Sequence, residues 1–79
     1  MEITVRYYGM LAEITGQSAE NLAFAENMSV GKFREEILSR YPGMTGKKFK
    51  VAVNLQIADD DIFIESGCEI ALLPPFAGG

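Results

Sequence analysis

The sequence predicts an α+β domain in which one main helix covers one face of a mixed β-sheet. Three observations carry this. Ile3-Thr4-Val5-Arg6-Tyr7-Tyr8 alternates, with Ile3, Val5 and Tyr7 on one side, the period of a half-buried strand. Val30, Phe33, Ile37, Leu38 and Tyr41 recur at helical spacing and form one apolar stripe. Glu69-Ile70-Ala71-Leu72-Leu73 alternates again with Ile70 and Leu72 inward, and Pro74-Pro75 stops its pairing because neither residue can donate a backbone hydrogen bond. One helical stripe covers one sheet face, so the other face is left to solvent or to a partner.

The remaining elements follow in order. Gly9 ends the first strand, and Met10-Leu11-Ala12-Glu13-Ile14 predicts one or two helical turns that stop at Gly16. Residues 19–25 form a second strand with Leu22 and Phe24 on one face and Glu20 sharing it. Ser29 caps the main helix, its hydroxyl accepting from an otherwise orphaned backbone N–H. On the helix's opposite side Lys32, Glu36 and Arg40 are successive i,i+4 neighbours of alternating charge. Pro42-Gly43 terminates it. A Gly/Lys loop leads into the short strand Val51-Ala52-Val53, and Asn54 suits a turn. Asp59-Asp60-Asp61 precedes Ile62-Phe63-Ile64, and Ser66-Gly67 is a turn signal before the last strand. No repeat or linker divides the chain, so residues 1–79 form one domain.

Composition sets further bounds. Seventy-nine residues support a single core and bury only about 60% of the unfolded surface. With 48% hydrophobic and 23% charged residues, the chain is globular rather than disordered. It has no His, which excludes an imidazole base, a Ser-His or Cys-His nucleophile pair and a His metal ligand. A single cysteine, Cys68, excludes an internal disulfide and a cysteine-based zinc site. Seven basic against eleven acidic residues, a net charge of -4, oppose nucleic-acid binding and suit a basic protein partner. No apolar run reaches the ~20 residues of a membrane span. Met1-Glu2-Ile3-Thr4 lacks the basic, apolar start of a signal peptide, so a cytoplasmic location is expected.

The ending Phe76-Ala77-Gly78-Gly79 is the most informative feature. Two terminal glycines arise by chance about once in a hundred such chains. Against a frayed end of small residues stands a reading with a mechanism. An α-carboxylate has a pKa of about 3.3–3.7 and is ionised at neutral pH, and on glycine no Cβ hinders its passage through a narrow channel. Pro74-Pro75 holds the start of the tail extended, which lowers the entropy lost on insertion. Chemistry on the main chain itself is open to a protein without histidine.

Leu72-Leu73-Pro74-Pro75-Phe76-Ala77-Gly78-Gly79 resembles the terminal signature of the small, sulfur-carrier subunits of molybdopterin synthase. Val53-Asn54 is similar to that family's internal turn; Gly67, Glu69 and Ala71 resemble its run before the final strand. Tyr7-Tyr8-Gly9 with Glu13 and Gly16 resembles its opening, so the likeness covers essentially the whole chain. The resemblance implies a ubiquitin-like β-grasp fold with a flexible tail over residues 75–79. It implies that Gly79 is the reacting residue, first adenylated and then thiocarboxylated, with Pro75, Phe76, Ala77 and Gly78 as the tail that delivers it. The implied partners are an adenylyltransferase resembling ubiquitin-activating enzymes, which uses ATP and Mg²⁺, and the large catalytic synthase subunit in a heterotetramer. There sulfur passes to cyclic pyranopterin monophosphate. The chain itself would bind no cofactor and catalyse nothing alone. The alternatives are a related carrier for thiazole or tRNA thiolation, or a ubiquitin-like modifier. Ala12 departs from the family, which often has Arg there.

β-Grasp topology makes the first and last strands parallel neighbours. Their outward series, Thr4-Arg6-Tyr8 and Glu69-Ala71-Leu73, both become more apolar toward the C-terminal end. A docking patch of Tyr8, Leu73 and Phe76, with Ile57, is therefore expected beside the tail. Three consecutive aspartates at residues 59–61 cannot all turn to one ion without a bent loop, and they read as a solvated turn. Lys47, Lys48 and Lys50 read as solvated, and Cys68 has no adjoining base or cationic cluster to make it reactive.

Overall fold

The computed structural model describes residues 1–75; the expectations for Phe76, Ala77, Gly78 and Gly79 lie outside the described residues. The elements are β1 (Glu2–Tyr7), α1 (Met10–Thr15), β2 (Ala19–Ala23), β3 (Met28–Ser29), α2 (Val30–Arg40), β4 (Lys50–Val53), β5 (Gln56–Ile57), β6 (Phe63–Ile64) and β7 (Glu69–Leu73), with a 3₁₀ turn over Pro42–Met44. Five strands form one sheet in the order β2-β1-β7-β4-β5, and β3 pairs with β6. The central pair β1–β7 is parallel, with Thr4 opposite Glu69 and Tyr7 opposite Leu72, while the other pairs are antiparallel. Parallel neighbours need a long crossover connection, and α2 lies within it. This is the ubiquitin-like β-grasp fold.

The alternating strands and the helical stripe meet as expected. Ile3, Val5, Tyr7, Val51, Ile70 and Leu72 are buried on the sheet's inner face, against buried Val30, Phe33 and Ile37 of α2. Leu38 and Tyr41 are partly buried beside them. Ser29 Oγ accepts from the backbone N–H of Lys32 at 3.2 Å, the expected cap. The N–H groups of Val30 and Gly31 donate to the carbonyls of Ile62 and Asp60, at 2.8 and 2.9 Å. The helix entry is thus tied to the 59–62 loop.

Several expectations need correction. β2 ends at Ala23, not residue 25; Phe24 still exchanges hydrogen bonds with Met1 in the same register, and the partner strand has no residue beyond Met1 to pair further. Phe24 is nonetheless buried, edge-on to Phe33 with ring centroids 5.3 Å apart. The main helix ends at Arg40, and Tyr41 sits at its cap with φ -126°. Lys32, Glu36 and Arg40 form no ion pair with one another; the charge that does pair is Arg34, with Asp60 at 3.3 Å. Arg34 also donates to the Phe49 carbonyl at 2.9 Å and lies 4.7 Å from that ring's centroid. β3 and β5 are additional strands, each of two residues.

Candidate functional site

The sheet's outer face is read through its register. Arg6, Ala71, Ala52 and Ile57 lie in one row across β1, β7, β4 and β5. Leu73 lies opposite Lys50 in the next row. Tyr8 continues β1 beyond Tyr7, and its N–H donates to the Leu72 carbonyl at 3.3 Å, so Tyr8 and Leu73 are neighbours. The structure thus brings Tyr8, Leu73 and Ile57 onto one face; Phe76 lies outside the described residues. Tyr8 is 45% and Ile57 56% exposed, while Leu73 is half-buried. At the other end of the face, Arg6 Nε meets a Glu69 carboxylate oxygen at 3.0 Å and Thr4 Oγ1 donates to Asn21 Oδ1 at 2.8 Å. The face therefore grades from polar to apolar along the direction of β7.

Three residues not singled out as site residues belong to this surface. Lys50 supplies a positive charge beside Leu73, a position recoverable only from the β4–β7 register. Ala52 and Ala71 are 4% and 9% exposed. Ala71 faces outward in register but is covered, which alternation alone does not reveal.

The root of the tail has its own seat. β7 stops at Leu73, Pro74 is half-buried and Pro75 is exposed. Pro74 lies over Gly9, where an added Cβ would stand 3.1 Å from Pro74 Cγ. Gly9 has φ +57° and ψ -134°, a backbone conformation that L side chains strongly disfavour, and it also starts α1. Only glycine meets both demands. Tyr7-Tyr8-Gly9 carried the signal as the end of an alternating run on glycine, but the contact with Pro74 spans almost the whole chain.

A partly buried polar cluster ties β1, β2 and the end of α2 together. The Tyr7 and Tyr41 hydroxyls both donate to Glu20 Oε2 at 2.5 Å, and Gln17 Nε2 donates to the Tyr41 oxygen at 2.9 Å. Burial, followed by the bond to Glu20, pushes both phenols above their ordinary range. Glu20 stands opposite Val5 in the register, on the inner side of the edge strand β2. This explains an acidic residue sharing the apolar face of that strand: it is the acceptor that lets two tyrosines pack into the core.

The other singled-out residues take structural positions. Cys68 is buried and receives the Asn54 side-chain amide at 3.6 Å, while Asn54 Oδ1 accepts from the Glu69 N–H at 3.0 Å. Asn54 thereby clamps the β4–β5 turn onto the start of β7. Asp59, Asp60 and Asp61 are exposed, with Asp60 engaged by Arg34. Lys47, Lys48 and Lys50 are exposed. Ala12, where the resemblance leads one to expect Arg, packs partly buried against the core.

The model of the ThiS family matches residues 5–79. The chain belongs to the ThiS family. This ThiS-family chain is 29% identical over 83 residues to the molybdopterin synthase sulfur carrier subunit of Homo sapiens, covering 99% of this chain and 94% of that protein. Among solved structures, a candidate molybdopterin converting factor subunit 1 from Pyrococcus furiosus superposes with a TM-score of 0.90 at 20% identity, covering 96% of this chain and 99% of that one. That likeness supports the fold. A chain in the complex of subunits 1 and 2 of molybdopterin-converting factor from Helicobacter pylori matches at 25% identity and a TM-score of 0.69, over 100% of both chains.

Proposed function

We propose that this protein is a sulfur carrier of molybdopterin synthase, loaded at the carboxylate of Gly79. The observation that carries the reading is the ThiS-family match running through residue 79, where the sequence closes on Gly78-Gly79. In the first step a Gly79 carboxylate oxygen attacks the α-phosphorus of ATP on an adenylyltransferase, and pyrophosphate leaves. In the second, a sulfur donor at the oxidation level of hydrosulfide attacks the acyl carbon, and AMP leaves. The product thiocarboxylate is a softer and stronger nucleophile than the carboxylate. It then delivers sulfur to cyclic pyranopterin monophosphate in the large synthase subunit. ATP and Mg²⁺ belong to the activating partner.

The geometry supports the division of labour. Tyr8 and Leu73 are apolar neighbours on the face from which β7 leads into the tail, and Ile57 lies on that face across Ala52, an arrangement suited to seating the large subunit while residues 75–79 reach its active site. Pro74 on Gly9 sets the tail's departure, and Phe76 would extend the docking area. The test is reconstitution of thiocarboxylated protein with a large subunit and pterin precursor, followed by dithiolene formation. Deletion of Gly79 abolishes turnover and leaves the thermal midpoint unchanged; full turnover by the shortened chain refutes the proposal. Mass spectrometry of the terminal peptide from growing cells supplies a second readout. A sulfur-for-oxygen increase is expected, whereas an adduct to another protein's lysine would assign a modifier instead.

A further inference from the structure

We propose a second docking surface, for a basic segment of a partner protein with an apolar anchor, at the end of the sheet opposite the tail. A groove of about 340 Å³ is lined by Ile62, Phe63, Val53, Ile57, Ala58 and Cys68, with Asp59 and Glu65 also on its wall. Phe63 is 62% and Ile62 46% exposed, and the two are adjacent on the groove. Leu55, at the tip of the adjoining β4–β5 turn, is 88% exposed and held at φ +72°. A bulky side chain in the left-handed region is a genuine backbone outlier, where Gly or Asn would fit without cost. Two large exposed apolar side chains, Ile62 and Phe63, therefore line the groove, and Leu55 is exposed on the turn that borders it at Asn54.

Charge selects the occupant. Asp59 and Glu65 on the groove wall, with exposed Asp61 beside them, are acidic, and no Lys or Arg lines the groove. The chain as a whole carries a net charge of -4, which opposes a second copy at this site. An apolar anchor flanked by lysine or arginine satisfies both the groove and its rim. The turn at Asn54 is bonded to the start of β7 and the tail leaves from its end, roughly 13 Å away at about 3.3 Å per strand residue. A partner in this groove would share Ile57 with the outer face but leave Tyr8, Leu73 and the root of the tail free. The proposal does not depend on the sulfur-carrier reading.

The experiment titrates the ¹⁵N-labelled full chain with a synthetic peptide carrying a Leu-Phe pair flanked by lysines, and with its glutamate-flanked counterpart. Saturable amide shifts confined to residues 53–68 are expected with the lysine peptide alone. Phe63→Ser should weaken binding about tenfold. Ile62→Ser serves as an independent variant should Phe63→Ser fold poorly, and each variant's fold is checked from its unperturbed spectrum. The proposal is overturned by the absence of localised shifts at about 1 mM peptide, a binding limit of about -4 kcal/mol. It is equally overturned by shifts centred on Tyr8 and Leu73, by affinity unaltered in both variants, or by concentration-dependent self-association that Phe63→Ser abolishes.

Discussion

At Gly9 the backbone conformation and the approach of Pro74 act together, so a side chain there meets two penalties. Gly9→Ala is expected to lower stability by about 1–3 kcal/mol, read from the urea midpoint. Gly16, in the milder αL region at φ +78° and ψ 14° with nothing within 4 Å of an added Cβ, meets neither of Gly9's two penalties, and Gly16→Ala should cost less. Equal losses would remove Pro74 from the account. The tyrosine pair gives a pH prediction. The fold favours the neutral phenols of Tyr7 and Tyr41 by burial and by their bonds to Glu20. Unfolded tyrosine ionises near pH 10, so this stabilisation is intact below about pH 10 and is lost as pH rises further. Tyr7→Phe should flatten that alkaline decline while costing about 1–2 kcal/mol at neutral pH, measured by denaturation across pH. A decline of unchanged slope in Tyr7→Phe would contradict this origin.

Among the elements, α2 depends most on how its first turn is held. Ser29 supplies one cap, and the carbonyls of Ile62 and Asp60 accept from the next two N–H groups. Ser29→Ala is expected to cost about 1 kcal/mol. Gly31→Ala tests the rest of the entry. A helical glycine replaced by alanine ordinarily gains about 1 kcal/mol. Here the new Cβ would meet Asp60 Cβ at 3.2 Å and its carbonyl oxygen at 3.3 Å, and that oxygen already accepts from Gly31 N–H. Net destabilisation is therefore expected, and a raised melting temperature would show that the 59–62 loop yields freely. Ser29 was legible because an N-cap is a local device. The Gly31–Asp60 approach was not, because its partners are distant in sequence.

For the molecule as a whole, the decisive arrangement is the parallel pairing of β1 with β7, which joins the ends of the outer face and the root of the tail. Under the proposed function, Leu73→Asp puts a charge beside Tyr8 and should weaken binding to the large synthase subunit by about tenfold or more. Isothermal titration measures it, and circular dichroism checks that the half-buried site still folds. Unchanged affinity would remove the outer face from the docking surface. Much of this site could be foreseen: Thr4-Arg6-Tyr8 and Glu69-Ala71-Leu73 each carry their own gradient, and Pro74-Pro75 marks where pairing stops. Lys50 and the coverage of Ala52 and Ala71 could not, because they follow from which strand lies beside β7.

Local order and its terminators were written into the chain itself. The alternation of β1 and β7, the stripe of α2, the Ser29 cap and the Gly-Gly ending rest on spacing within a few residues, where backbone geometry dictates period. The two-residue strands β3 and β5, the sharing of Glu20 by two tyrosine hydroxyls, the seat of Pro74 on Gly9 and the apolar groove at Ile62 and Phe63 were decided only by tertiary structure. Two residues cannot display a period, and each of those contacts joins segments whose proximity arises only after the sheet and helix pack.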